Sequence, residues 1–319
     1  MFKSLLTKAG ILLTIFSSGA SAEPQVWLAK DNQRQFVLMG SIHVGSDALY
    51  PLPDAFNRYW PQADGLILEA NIQKQFSMPA IDEAHFTRKL LPPSDIRTLR
   101  ELAAQLKLSP FSLLENPPWL TAMHLQMAQS LALGLTPDKG IDQVVFNRAL
   151  KENLPIFELE GIEAQFRLLS SLPDHGLNLL QTTLNEWPLL EEEMTCLLTA
   201  WQQGNNAVLT ELSQQVALSE ETEQHLLVQR NYNWAKQLTI SPQYQKGTFL
   251  VVVGAYHMMG EEGLPALLQK QGFTVQQINS AQPATCQSGV AKKRFISDLR
   301  GRLIVFSERN NQYLDSHKP

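Results

Sequence analysis

The sequence predicts an α/β protein with a central, mostly parallel sheet built from two related halves and carrying large helical insertions. Three observations predict it. Phe36 to His43 and Phe249 to His257 are apolar runs that each end in Gly-x-x-His. Unbroken Val, Leu and Phe closed by glycine is the pattern of a strand buried on both faces. Further apolar runs alternate with helical segments, as a βαβ layer requires, and about 94–135 and 163–238 carry helical spacing alone.

Taken in order, Met1 to Ala22 holds Lys3 and Lys8, an apolar stretch from Ala9 to Phe16 and small residues at Ala20 and Ala22. That reads as a cleavable signal peptide, residues 1–22, exporting the chain to the periplasm or beyond the cell. The apolar stretch is too short for a stable membrane helix, and no later window reaches the length of one, so no stable membrane insertion is expected after cleavage. Residues 23–282 form the predicted domain. Phe36 to His43 is its first strand, and Gly65 to Leu68 leads into Glu69 as the next. Leu99, Leu102, Ala103 and Leu106 share one helical face, and a second helix is expected from about Leu120 to Leu133, parted from the first by Pro117 and Pro118.

A helix from Gly140 to Leu150 precedes the strand Leu154 to Phe157, which leads into Glu158 and Glu160. Glu220 to Leu238 reads as one helix in which Arg230, Asn231 and Trp234 share a face. The strand ending at His257, a helix from Leu264 to Gln271 and a strand from Phe273 to Ile278 complete the alternation. Residues 283–319 form a basic tail with seven Lys or Arg against three Asp or Glu, and Arg302 to Phe306 could add an edge strand.

Composition narrows the function classes. The chain has 319 residues, 44% hydrophobic and 18% charged, enough for a sizeable core. Its formal charge of −5 becomes −7 once Lys3 and Lys8 are removed, which argues against a nucleic-acid partner. Cys196 and Cys286 are the two cysteines, and an oxidising compartment permits a disulfide between them without requiring one.

In open parallel sheets ligands bind beyond the carboxyl ends of the strands. Four predicted strand ends offer His43, Glu69, Glu160 and His257. Imidazole and carboxylate are the usual ligands of a first-row divalent metal, Zn2+ included, and equally serve as general base and acid in hydrolysis. Gly40 and Gly254 would let the backbone approach a ligand. Glu158 and Glu163 compete with Glu160 for its role. Asp142 reads as the cap of its helix. Arg230 either serves the site, as a clamp or oxyanion stabiliser, or pairs with a helix carboxylate such as Glu223. Met39, Met258 and Met259 read as core or cleft wall, and Trp119 and Trp187 as packing anchors. His85, His124, His175, His225 and His317 show no matching partners and read as surface or core residues.

Gly-Ser-Ile-His, Leu-Glu-Ala-Asn, Lys-Gly-Ile-Asp, Glu-Leu-Glu-Gly-Ile-Glu-Ala-Gln, Gln-Arg-Asn and Gly-Ala-Tyr-His follow one another in that order. The ordered set, from about Val26 to Ile278, resembles the TraB/PrgY/GumN family, Tiki-like, within the erythromycin esterase/ChaN-like superfamily. The Tiki resemblance implies a metal-dependent peptidase using Mn2+ or Co2+, with His43, Glu69 and His257 as metal ligands or catalytic groups. The esterase resemblance implies hydrolysis without a clear metal requirement, with Arg230 in the place of that family's arginine. The expected substrate is accordingly a peptide or small ester. A third expectation is a non-catalytic protein that holds a peptide or haem-like ligand.

Overall fold

The computed structural model describes residues 23–71, 73–74, 81–215 and 218–280, together with the backbone of 294–297 and 303–306. Its strands are β1 (Val26–Lys30), β2 (Arg34–Ser41), β3 (Gly65–Leu68), β4 (Ile156–Glu158), β5 (Gly247–Gly254), β6 (Thr274–Gln277), β7 (Arg294–Ser297) and β8 (Leu303–Phe306). The first six form one sheet in the order β4-β3-β5-β2-β1-β6. β4, β3, β5 and β2 run parallel, whereas β1 is antiparallel to both β2 and β6. The two Gly-x-x-His strands are therefore direct neighbours, with Gly40 opposite Val253 and Ser41 opposite Gly254.

The helices that matter are α1 (Pro93–Gln105), α2 (Pro118–Ala132), α3 (Ile141–Glu152), α4 (Ile162–Ser170), α5 (Leu177–Glu186), α6 (Leu190–Gln202), α7 (Asn206–Gln215), α8 (Gln229–Ile240) and α9 (Leu264–Lys270). Period-two alternation sends neighbouring strand residues to opposite faces. Val37, Met39, Leu66, Leu68, Leu250 and Val252 pack beneath α3 and α6. Phe36, Leu38, Ile67, Phe249, Val251 and Val253 pack beneath α8 and α9. Both faces of the central strands are thus covered, which is why they read as unbroken apolar runs. A third cluster, built from Leu99, Leu125, Leu180 and Leu184, gives the helical insertion of α1, α2 and α5 its own core.

Three sequence expectations change. β1 was not anticipated; a tight turn at Asp31 to Gln33 folds it back on β2, and Asp31 Oδ1 accepts from the Gln33 and Arg34 amides. Leu303–Phe306 pairs with Arg294–Ser297 in a separate two-stranded sheet and is not an edge of the main one. The expected helix from Glu220 to Leu238 is interrupted by a π turn over Gln224–Val228. The signal segment 1–22 and His317 lie outside the described residues. Cys196 is buried and disulfide-bonded, and the other cysteine, Cys286, also lies outside them. Among the described residues no helix is long and apolar enough to cross a membrane.

Candidate functional site

The parallel strands end on one edge of the sheet, and the loops leaving them carry His43, Glu69, Glu160 and His257. His43 follows β2 in a loop that is zipped to the start of α3. The Gly45 amide donates to Thr136 O at 3.0 Å, the Thr136 amide to Gly45 O at 2.8 Å, and the Ile141 amide to Ile42 O at 3.0 Å. Gly140 allows this approach, since a Cβ there would stand 2.3 Å from the His43 carbonyl oxygen. Asp142 is thereby brought to His43, whose Nδ1–H donates to Asp142 Oδ1 at 3.1 Å. An ionised carboxylate only accepts, so the contact fixes the proton on Nδ1 and leaves Nε2 for a ligand. The ring keeps 65% of its side chain open to solvent. Asp142 raises the His43 pKa to about 9, a pull that water at the exposed ring screens.

Asp142 is thus not the helix cap that its position suggests. Gly140 occupies that place and α3 has no side-chain cap.

Glu69, Glu160 and His257 converge on Arg230, from α8. The Arg230 Nη2 donates to Glu69 Oε2 and Glu160 Oε1, both at 2.5 Å, and Nε donates to Glu160 Oε1 at 3.1 Å. Nη1 donates to Leu226 O at 3.0 Å, inside the π turn, and to His257 Nε2 at 3.1 Å. All five N–H groups of the guanidinium are engaged, so Arg230 acts as a clamp and has none left for an oxyanion. It also lies over the Trp234 ring, 4.6 Å from its centroid.

His257 is nearly inaccessible and its tautomer is fixed by Asn231. Asn231 Nδ2 donates to Glu262 O at 2.8 Å, so its Oδ1 accepts from His257 Nδ1–H at 2.6 Å. Trp234 packs on the same ring at 4.4 Å. The three α8 residues expected to share a face all reach His257. Burial drives the His257 pKa down to about 3, with Arg230 adding to the effect, and the ring is neutral. Burial alone would raise the Glu69 carboxyl, yet Arg230 first, then the His257 and His43 rings and the Gly254 amide, bring it down to about 2. Glu69 Oε1 accepts from the Gly254 N–H at 2.7 Å, and Oε2 also accepts from Gln165 Nε2 at 3.1 Å.

A divalent ion on His43, Glu69 and His257 would need a free lone pair from each imidazole and an available carboxylate. Here His257 Nε2 accepts from Arg230, its Nδ1 carries a proton, and both Glu69 oxygens are engaged. A guanidinium 2.5 Å from Glu69 would also repel a dication. These donors do not fit such an ion, and among the described residues no group of three His, Cys, Asp or Glu side chains could hold one. Glu158 faces away, accepting from the Asn71 amide and pairing with Lys74, and Glu163 pairs with Arg167. Gly40 serves packing rather than a ligand, because a Cβ there would meet the Ala255 Cα at 2.8 Å. His85 and His175, expected to be without partners, stack on each other at 3.6 Å.

Asp142, Gln165 and Asn231 are the residues that sequence reasoning undervalued. Each was in view, since Asp142 and Gln165 close two of the motifs and Asn231 follows Arg230, but nothing in the spacing distinguished them from caps and helix-surface residues.

The model of the TraB/PrgY/gumN family matches residues 25–277. Uncharacterized protein YbaP of Escherichia coli (strain K12) is 33% identical over 254 residues, covering 77% of this chain and 92% of that protein. Uncharacterized protein YbaP of Shigella flexneri is 32% identical over the same length and shares. No solved structure matches.

Proposed function

We propose that this chain, which belongs to the TraB/PrgY/gumN family, is a hydrolase of carbonyl substrates that works without a bound metal ion. One observation carries the reading: His43 is open to solvent while its Nδ1 is held by Asp142. That is the arrangement of a histidine general base, oriented by a carboxylate that also stabilises the imidazolium as it forms.

In the proposed reaction neutral His43 takes a proton through Nε2 from a water molecule as its oxygen attacks the substrate carbonyl. The imidazolium then returns that proton to the leaving group as the carbonyl re-forms. Arg230, Glu69, Glu160 and His257 make the largely buried, mutually paired floor beside this base, and their role is to hold the strand ends in place. Because Asp142 raises the His43 pKa, the neutral base becomes populated as pH rises toward about 9. Activity should rise with it. Export through residues 1–22 belongs to the same proposal, and the disulfide at Cys196 supports an oxidising compartment.

The experiment is hydrolysis of p-nitrophenyl acetate by the chain and by His43→Ala. The variant should lose roughly 10²- to 10⁴-fold in kcat/KM. Equal rates would end the proposal.

A further inference from the structure

Beyond the Glu160–Arg230 pair lies a cavity of about 520 Å³ between α4 and α8. Its apolar surface comes from Leu159, Ala164, Leu168 and Trp234, and the Glu160–Arg230 pair forms the wall toward the reactive centre. The size falls in the range of pockets that enclose a bound small molecule or a large side chain with its backbone, about 300–1,000 Å³. Its two arginines are already matched, Arg230 with Glu160 and Arg167 with Glu163 at 3.5 Å, and the remaining ionisable lining group, His225, turns its Nδ1 to the Glu221 carbonyl oxygen at 2.8 Å. Nothing there favours an ionic ligand. Gln229 and Asn233, on successive turns of α8, add carboxamides to the lining. Carboxamides both donate and accept, which matches the alternating groups of a peptide backbone better than a plain acyl chain.

Resting on the hydrolase reading, we propose that this cavity is the specificity pocket for an extended peptide substrate, taking one large uncharged apolar side chain. The sheet sets the spacing. Glu160 follows β4 and His43 follows β2, three strand intervals away in the order β4-β3-β5-β2. At about 4.8 Å per interval that is roughly 14 Å. An extended peptide advances about 3.3–3.6 Å per residue, so the anchoring side chain lies about four residues from the bond at His43. A small ester reaches His43 without entering the pocket.

Binding is measured on His43→Ala, which separates recognition from turnover, by fluorescence anisotropy of two fluorescein-labelled octapeptides. They are identical and neutral except that one carries Phe where the other carries Ser. The Phe peptide should bind about tenfold to a hundredfold more tightly. Ala164→Arg, and independently Gln229→Trp at the rim, should remove that preference while leaving p-nitrophenyl acetate hydrolysis by the otherwise native chain unchanged. Equal binding of the two peptides overturns the pocket assignment, as does a preference that survives both substitutions. Displacement of the Phe peptide by octanoate at comparable affinity overturns the peptide assignment in favour of an acyl chain. Failure of the hydrolase reading would appear separately, as absent ester turnover in a chain that still prefers the Phe peptide.

Discussion

Asp142 sets both the orientation and the charge of His43. Asp142→Asn removes the charge that raises the His43 pKa to about 9, so the rising limb of the pH–rate profile should move to lower pH. An amide can also donate to Nδ1 and favour the other tautomer, so kcat/KM should fall by about 10²- to 10⁴-fold. A profile measured from pH 5 to 10 reads both effects. Arg230 makes a different prediction, because it is 13% exposed in its side chain and touches two carboxylates. Arg230→Met should cost about 3–5 kcal/mol in urea unfolding, since Glu69 would remain buried and Glu160 partly buried without their partner. At this scale the sequence exposed the acidic and basic candidates but not their wiring. His43 and His257 look equivalent in their Gly-x-x-His contexts, yet one is open beside Asp142 and the other is enclosed by Asn231, Arg230 and Trp234. That difference comes from which helix covers each strand end, and no local pattern encodes it.

The loop after β2 and the start of α3 act as one element, joined by the Gly45–Thr136 and Ile141–Ile42 hydrogen bonds. Gly140→Ala should push this junction apart, because the new Cβ would stand 2.3 Å from the His43 carbonyl oxygen. The expected result is at least a tenfold fall in kcat/KM through displacement of His43 from Asp142, with a destabilisation of about 1–3 kcal/mol. Parallel ester kinetics and thermal melts would check both. The strands β2, β3 and β5 were legible because burial on both faces leaves a dense apolar signature, which β1 lacks: Val26, Leu28 and Ala29 are buried, but Trp27 is only partly so and Lys30 is exposed. The π turn before α8 was hidden for another reason. Its register change frees the Leu226 carbonyl for Arg230, a contact that depends on the tertiary position of Glu69 and Glu160.

For the molecule as a whole, the buried site should dominate acid stability. His257 has a folded pKa of about 3 against an ordinary 6.5, so its contribution is complete above 6.5 and is lost as pH falls toward 3. Glu69, at about 2 against 4.5, extends the loss from 4.5 toward 2. His43 works in the opposite sense: its contribution is complete below 6.5 and fades as pH rises through about 9, weakened by solvent at the exposed ring. Urea unfolding between pH 8 and 3 should therefore show stability falling from pH 6.5 downward, and His257→Gln should flatten the upper part of that decline.

The proposed hydrolysis turns on a carboxylate-oriented histidine acting where a metal ion does not fit. The direct measurement is ester hydrolysis by the purified chain after exhaustive chelation, with bound metal quantified on the same sample. Activity that persists at far less than one metal per chain, rises toward pH 9 and disappears in His43→Ala is the predicted result. Activity lost on chelation and restored by Mn2+, Co2+ or Zn2+ would contradict it.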